Sequence, residues 1–216
     1  MIHGIDLSHW QGDVDFEKLV KAGIKFCFLK FSEGTEHVDE RAQEYLAGAR
    51  ANSMPAGAYH YFLPKYDPIE QADHFLTTMA TIEKEVGTLV LPPVIDVEVK
   101  ASAAKLQSTI LQFLERVEVR RGVTPIIYTS PGFWRSYVGR WDDCVRFPLW
   151  VAHYGTTFPS QFYPWANWLI WQYTSAGRVL GCNANVDLNL FPGDWEAFIK
   201  YCNFEREEYL AYRDPR

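Results

Sequence analysis

The 216-residue chain has no run of Lys and Arg, and its formal net charge is −6. It therefore offers no basic stripe to neutralise a row of phosphates, and nucleic acid is not expected as a partner. No window approaches the long uncharged apolar stretch of a membrane span, and no basic start followed by an apolar segment marks a signal peptide. Four cysteines (Cys27, Cys144, Cys182 and Cys202) show no CxxC spacing, which disfavours a metal cluster and makes free thiols the default. There is no HExxH ligand pair, no GxSxG elbow around Ser130 or Ser175, and no strand-GxGxxG-helix context around Gly155 or Gly177. Zinc-dependent, serine-nucleophile and nucleotide-binding chemistries thus lack their usual carriers. Repeats and Pro/Ser-rich linkers are also missing, so one domain is expected.

What is present is an ordinary globular composition, 48% hydrophobic and 22% charged, with aromatics at 16%. Short apolar runs alternate with helical stretches, which predicts βα units around a mostly parallel sheet or barrel. Eight strands are expected near Gly4–Ser8, Lys25–Phe31, Ala56–Phe62, Thr88–Val97, Pro125–Thr129, Leu149–His153, Trp168–Gln172 and Val186–Leu190. Eight strands suit a closed barrel. Helices are expected over Asp39–Asn52, from the cap Asp67-Pro68 to about Val86, and from Ser102 to Arg121 before a terminating Gly122. The late part is less regular: Gly155–Asn167 reads as a loop and Ser175–Asn185 as a turn-rich hairpin or excursion. A short helix is expected from Trp195 to Tyr201. Residues 1–202 form the expected barrel and 203–216 a charged tail, either a short helix or disordered.

The segment Val94-Ile95-Asp96-Val97-Glu98 puts two carboxylates two residues apart on an expected strand, so both point to one face with Val94. Ile95 and Val97 point to the apolar layer outside the barrel. Paired acids at a strand's C-terminal end fit a cleft better than a core, because unpaired buried carboxylates are costly. One can donate a proton while the other acts as nucleophile, base or orienting group, and their mutual repulsion keeps one protonated. Alternation in Gly4-Ile5-Asp6-Leu7-Ser8 turns Asp6 toward the same interior, and Asn185-Val186-Asp187-Leu188-Asn189 repeats the arrangement. A salt bridge or a turn cap accounts for each of these acids taken alone.

Taken together, the blocks GIDLSHWQG (4–12), AGAYHYF (56–62), PVIDVE (93–98), PIIYTSP (125–131), LWVAHY (149–154), WQYT (171–174) and NVDLN (185–189) resemble glycoside hydrolase family 25, the Chalaropsis-type muramidases. The resemblance covers about residues 3–192. It implies an irregular TIM-like α/β barrel in which Glu98 is the general acid, with Asp6 and Asp187 completing an acidic floor. Asp96 either attacks the anomeric carbon or orients the substrate's N-acetyl group, with retention of configuration in both cases. By resemblance Tyr61, Tyr128 and Trp171 contact the sugar, with Tyr59 and Trp150 as further aromatic positions. Packing is the expectation for Trp134, Trp141, Trp165 and Trp195, and structural hydrogen bonding for His9, His60 and His153.

The resulting expectation is a lysozyme that cuts the β-1,4 bond between N-acetylmuramic acid and N-acetylglucosamine in bacterial peptidoglycan. It would act as a monomer, without metal or organic cofactor and without a membrane partner. A barrel that holds glycan without cutting it, and a glucosaminidase or chitinase, are the competing readings. Action outside the cell then requires either that a leader has been removed or release through membrane holes, as phage-encoded endolysins achieve.

Overall fold

Alternating apolar residues need two apolar surroundings, and the chain supplies them as the inside of a barrel and a layer of helices around it. A computed structural model describes residues 1–159, 161–200 and 202. Eight strands close the barrel: β1 (Ile2–Leu7), β2 (Phe26–Glu33), β4 (Ala56–Tyr61), β5 (Val94–Asp96), β6 (Ile126–Thr129), β7 (Leu149–Ala152), β8 (Ile170–Gly177) and β9 (Val186–Phe191). The two-residue β3 (His37–Val38) only flanks β2. The order is β1-β9-β8-β7-β6-β5-β4-β2, and parallel pairing of β1 with β2 closes the ring. Strand β9 runs antiparallel to both its neighbours. This reversal makes the TIM-like barrel irregular.

Strand alternation separates the two layers. Ile5, Leu7, Cys27, Leu29, Ile95, Val97, Ile127 and Val151 pack outward on the helices. Phe26, Phe28, Val94, Ile126, Trp150, Ile170 and Phe191 fill the interior. Two glycines make room for the Phe rings: a Cβ on Gly4 would lie 2.3 Å from the Phe26 ring, and one on Gly57 would lie 2.4 Å from Phe28. The closing helix contributes Phe198, which packs 4.9 Å from Phe26 between ring centroids and stops the bottom of the barrel. Such a close-packed plug leaves only the opposite end open.

Helices α1 (Phe16–Lys21), α2 (Ala42–Ala51), α3 (Pro68–Val86) and α4 (Ala103–Arg121) are followed by a short α5 (Pro131–Phe133) that continues into the wide turn Trp134–Val138, and by α6 (Trp195–Ile199). Asp67 caps α3 by accepting from Ile69 N and Glu70 N at 2.8 and 3.0 Å. Gly122 ends α4 at φ 68°, where a side chain would be strained. Helix α1 has no counterpart among the sequence expectations; its six residues are too few for a readable period, although Asp15 caps it.

Two strand ranges differ from expectation for identifiable reasons. Pro92 and Pro93 have no N–H to give a ladder, so β5 starts only at Val94 rather than at Thr88. Strand β8 continues to Gly177, which pairs with Val186, so the hairpin with β9 takes in part of the segment read as an excursion. All four cysteines are free, and Cys27 is a buried residue of the outer apolar layer. Among the described residues no helix is long and apolar enough to cross a membrane. The expected tail at 203–216 and the Tyr201 end of the last helix lie outside the described residues.

Candidate active site

Parallel strands deliver their C-terminal ends, and the side chains on them, to the open end of the barrel. A pocket of about 230 Å³ opens there, with Asp6, Asp96, Glu98 and Asp187 in its wall. The four acids that the sequence singles out are thereby brought together.

Asp6 and Asp187 face each other because their Cα positions pair across the antiparallel β1–β9 ladder. Asp6 is 7% exposed. Its Oδ2 accepts from Gln172 Nε2 at 2.9 Å and from Asn189 Nδ2 at 2.7 Å. Both amides are themselves oriented. Gln172 Oε1 accepts from the Tyr128 hydroxyl at 2.8 Å and from the Tyr154 hydroxyl, while Asn189 Oδ1 accepts from Trp150 Nε1 at 2.8 Å. With their oxygens engaged by donors, the amides turn their NH₂ groups to Asp6. Burial and the charge of Asp187 raise the Asp6 pKa well above its usual value, and the two amides only partly offset this.

Asp96 ends β5, in register with Tyr61 on β4 and Tyr128 on β6. It is 7% exposed, and its Oδ1 is a buried acceptor with no hydrogen-bond partner. Burial, then the charges of Glu98 and Asp6, push its pKa well up; Lys30 pulls it back. Glu98 lies two residues beyond the strand end rather than on the strand. The bond from Val97 N to Tyr128 O, at 2.9 Å, carries the extended backbone one residue past β5 and lets Glu98 follow on the Asp96 side. Glu98 reaches solvent at the pocket mouth, yet the crowded wall raises its pKa, helped by the Asp187 charge. Burial moves Asp187 up to about 6, against a hydrogen bond from Asp6. The pocket is thus four carboxyls that cannot all be ionised together near neutral pH.

Of the aromatic residues singled out, Tyr59, Tyr61, Tyr128 and Trp150 line the pocket. Trp150 does so from the floor, 2% exposed, with its ring tilted against Phe28 at 4.7 Å between centroids. Trp171 does not line it. In β8 the inward residues are Ile170 and Gln172, so Trp171 turns to the outer layer, packs near Trp168 and Tyr173, and donates from Nε1 to His153 O at 2.8 Å. The WQYT block marks the right strand, and its pocket residue is Gln172. Trp134, Trp141 and Trp165 are buried in the outer layer, and Trp195 packs on Phe198. His60 is held between Ser32 Oγ at 2.9 Å and Gln71 Oε1, and His9 Nδ1 meets Asp39 Oδ2 at 2.8 Å. Among the described residues, no group of His, Cys, Asp and Glu has the arrangement of a metal site.

Lys30, Trp10, Gln11 and Gln172 also line the pocket and are not among the expected site residues. For Lys30 the signal is a lone cation at an inward position of the apolar run Phe26-Cys27-Phe28-Leu29-Lys30-Phe31. For Trp10 there is none beyond its nearness to Asp6.

Residues 5–182 match the model of the family described as Glycosyl hydrolases family 25. The chain is 31% identical over 212 residues to "Lysozyme M1" of Streptomyces globisporus, covering 94% of this chain and 71% of that one. The crystal structure of the bacterial lysozyme from Streptomyces coelicolor superposes with a TM-score of 0.85 at 30% identity, covering 94% of this chain and 97% of that one. A muramidase structure from Acremonium alcalophilum gives 0.82 at 26% identity, with 94% and 99% covered. With its barrel, its open acidic end and these likenesses, the chain belongs to glycosyl hydrolase family 25 and is a glycoside hydrolase.

Proposed function

We propose that the chain is a lysozyme-type muramidase acting at the cell wall, which hydrolyses the β-1,4 bond between N-acetylmuramic acid and N-acetylglucosamine in peptidoglycan with Glu98 as proton donor. The observation carrying this reading is the asymmetry of the acid pair: Glu98 is solvent-reachable at the mouth with a raised pKa, whereas Asp96 is buried beside it with an unused acceptor. A proton donor needs the first environment. The second suits a group that receives the acetamido N–H of the sugar in the cleavage subsite. Glu98 gives its proton to the glycosidic oxygen as the C1–O bond breaks, and the acetamido oxygen bonds C1 from the other face. Asp96 accepts from the acetamido N–H and balances the positive charge that develops there. The Glu98 carboxylate then takes a proton from water, whose oxygen opens the ring intermediate at C1, so configuration is retained. Asp6, held by Gln172 and Asn189, and Asp187 keep the local potential negative, which favours the cationic transition state.

Reduction of digested peptidoglycan followed by mass spectrometry tests the reading. Muramic acid at the new reducing ends is expected; glucosamine there, or no new ends, would overturn it.

At about 230 Å³ the pocket is smaller than the ~300–1,000 Å³ of sites that enclose a drug-sized ligand, so most of a glycan strand must lie on the rim. Trp10 stands on that rim, 77% exposed, on the turn His9–Gln11. The turn is fixed by His9 N and Nδ1 on Asp39 and by Gln11 Nε2 on Asn185 O at 3.1 Å. A rigid exposed indole suits a sugar face. Trp10→Ala is expected to lower kcat/KM on polymeric wall about 5- to 10-fold, corresponding to the ~1–1.5 kcal/mol of one aromatic contact. A short aryl glycoside filling only the pocket should be cut as before; equal loss on both substrates would remove the platform role.

A further inference from the structure

Lysine is almost never buried unless something pairs with it, and Lys30 is 9% exposed in a pocket wall whose other charged residues, among those described, are acids. Its placement depends on an irregularity in β2. Lys30 pairs with Tyr59 on β4, but the next registered pair is Ser32 with His60, so β2 spends two residues where β4 spends one. Such a bulge reverses the alternation beyond it. Ser32 turns outward to His60 Nδ1 at 2.9 Å, and Glu33 comes to the same side as Lys30. In a regular strand, residues three apart point to opposite faces. Here Lys30 Nζ donates to Glu33 Oε2 at 2.7 Å and lies 5.1 Å from the centroid of the Tyr61 ring. Tyr61 in turn is the ladder neighbour of Asp96.

Asp96 is therefore faced by Asp6 from β1, Asp187 from β9, Glu98 from its own segment, Tyr59 and Tyr61 from β4, Tyr128 from β6, and Lys30 from β2. Among the described residues, Lys30 is the only cation in this pocket wall. We propose that Lys30, locked against Glu33 and Tyr61 by the bulge, is a positioning residue that biases the shared negative charge of the acidic pocket toward Asp96 and the shared proton toward Glu98. Burial and the neighbouring acids draw the shared proton toward Asp96, and without Lys30 nothing in the wall opposes them, so the exposed Glu98 would carry more of the negative charge, the reverse of what proton donation requires. Glu33 fixes the ammonium and moderates its charge. The inference rests on the acid and orienting roles proposed above.

The test uses Lys30→Met, Lys30→Arg and Glu33→Gln in the intact protein, comparing kcat/KM against pH on soluble peptidoglycan fragments. The acid limb should move up by about one pH unit in Lys30→Met, the size of shift a neighbouring opposite charge produces. It should stay in place in Lys30→Arg and move down in Glu33→Gln, where the charge on Lys30 is no longer offset. The Asp96 carboxyl ¹³C shift, titrated in the same proteins, should follow the same order. An unmoved limb, or a loss equal at every pH, overturns the proposal. The ¹³C titration needs no turnover, so it tests Lys30 even if wall cleavage fails and the muramidase reading falls.

Discussion

Glu98→Gln is expected to lower kcat on peptidoglycan by about 10³, within the ~10²–10⁴ contributed by a positioned general acid, with the melting temperature unchanged. The side chain keeps its length and can still hydrogen-bond, but it has no proton to give. A sugar leaving group is a poor one and must be protonated as it departs, so the full loss appears in kcat with little change in KM. Glu98 lies past the end of β5 and opens onto solvent, which is why the fold should not register the change. The substrate supplies a second check. An aryl glycoside whose leaving group departs as a stable phenolate needs no proton, and should lose far less than the wall polymer does. Substantial wall cleavage by the variant, or equal losses on both substrates, would remove Glu98 from the donor role.

Much of the fold was legible because it rests on periodicity. The inward and outward layers follow from alternation alone, and the acid positions Asp6, Asp96 and Asp187 fall on the interior face as that rule requires. What escaped depends on interactions distant in sequence. Gln172 and Asn189 lie inside the WQYT and NVDLN blocks, but their part in the site comes from Tyr128 and Trp150, which reach them across the barrel interior, and from Asp6, which approaches when β1 pairs with β9. Trp171 is expected at the sugar by family resemblance, whereas alternation through the inward Ile170 and Gln172 turns its indole to the outer layer and leaves Gln172 in the pocket wall. The Lys30–Glu33 pair was hidden for the opposite reason: a bulge breaks the period, and nothing in residues 26–33 announces it. Periodic rules locate the wall of such a pocket, and its departures from period set the charge inside.

That charge has a stability cost, and Asp96→Asn should expose it. Folding raises the Asp96 pKa, so the folded state binds the proton more tightly than the unfolded chain does. The sign follows: below the unfolded value near 3.8 both states are protonated and Asp96 costs nothing for its charge. As pH rises through the folded pKa the carboxyl must ionise in a buried site or keep a proton the solvent would take, and stability falls. Asparagine escapes this penalty, and its amide can donate to the neighbouring carboxylates. The variant is expected to be more stable than the parent by about 1–3 kcal/mol at neutral pH, the scale of an unsatisfied buried group, or about 2–4 °C of melting temperature per kcal/mol. The difference should shrink toward zero as pH is lowered to about 4, where the parent Asp96 is neutral as well. Wall cleavage should meanwhile fall by at least about 100-fold, since an amide cannot balance the charge on the acetamido group as C1 reacts. Calorimetry across pH decides the stability half: a constant offset would show that packing changed, and a lower melting temperature at neutral pH would show that the buried carboxylate is satisfied after all. A gain in stability coupled to a loss of turnover is what an active site built from strained charge must give when the charge is removed.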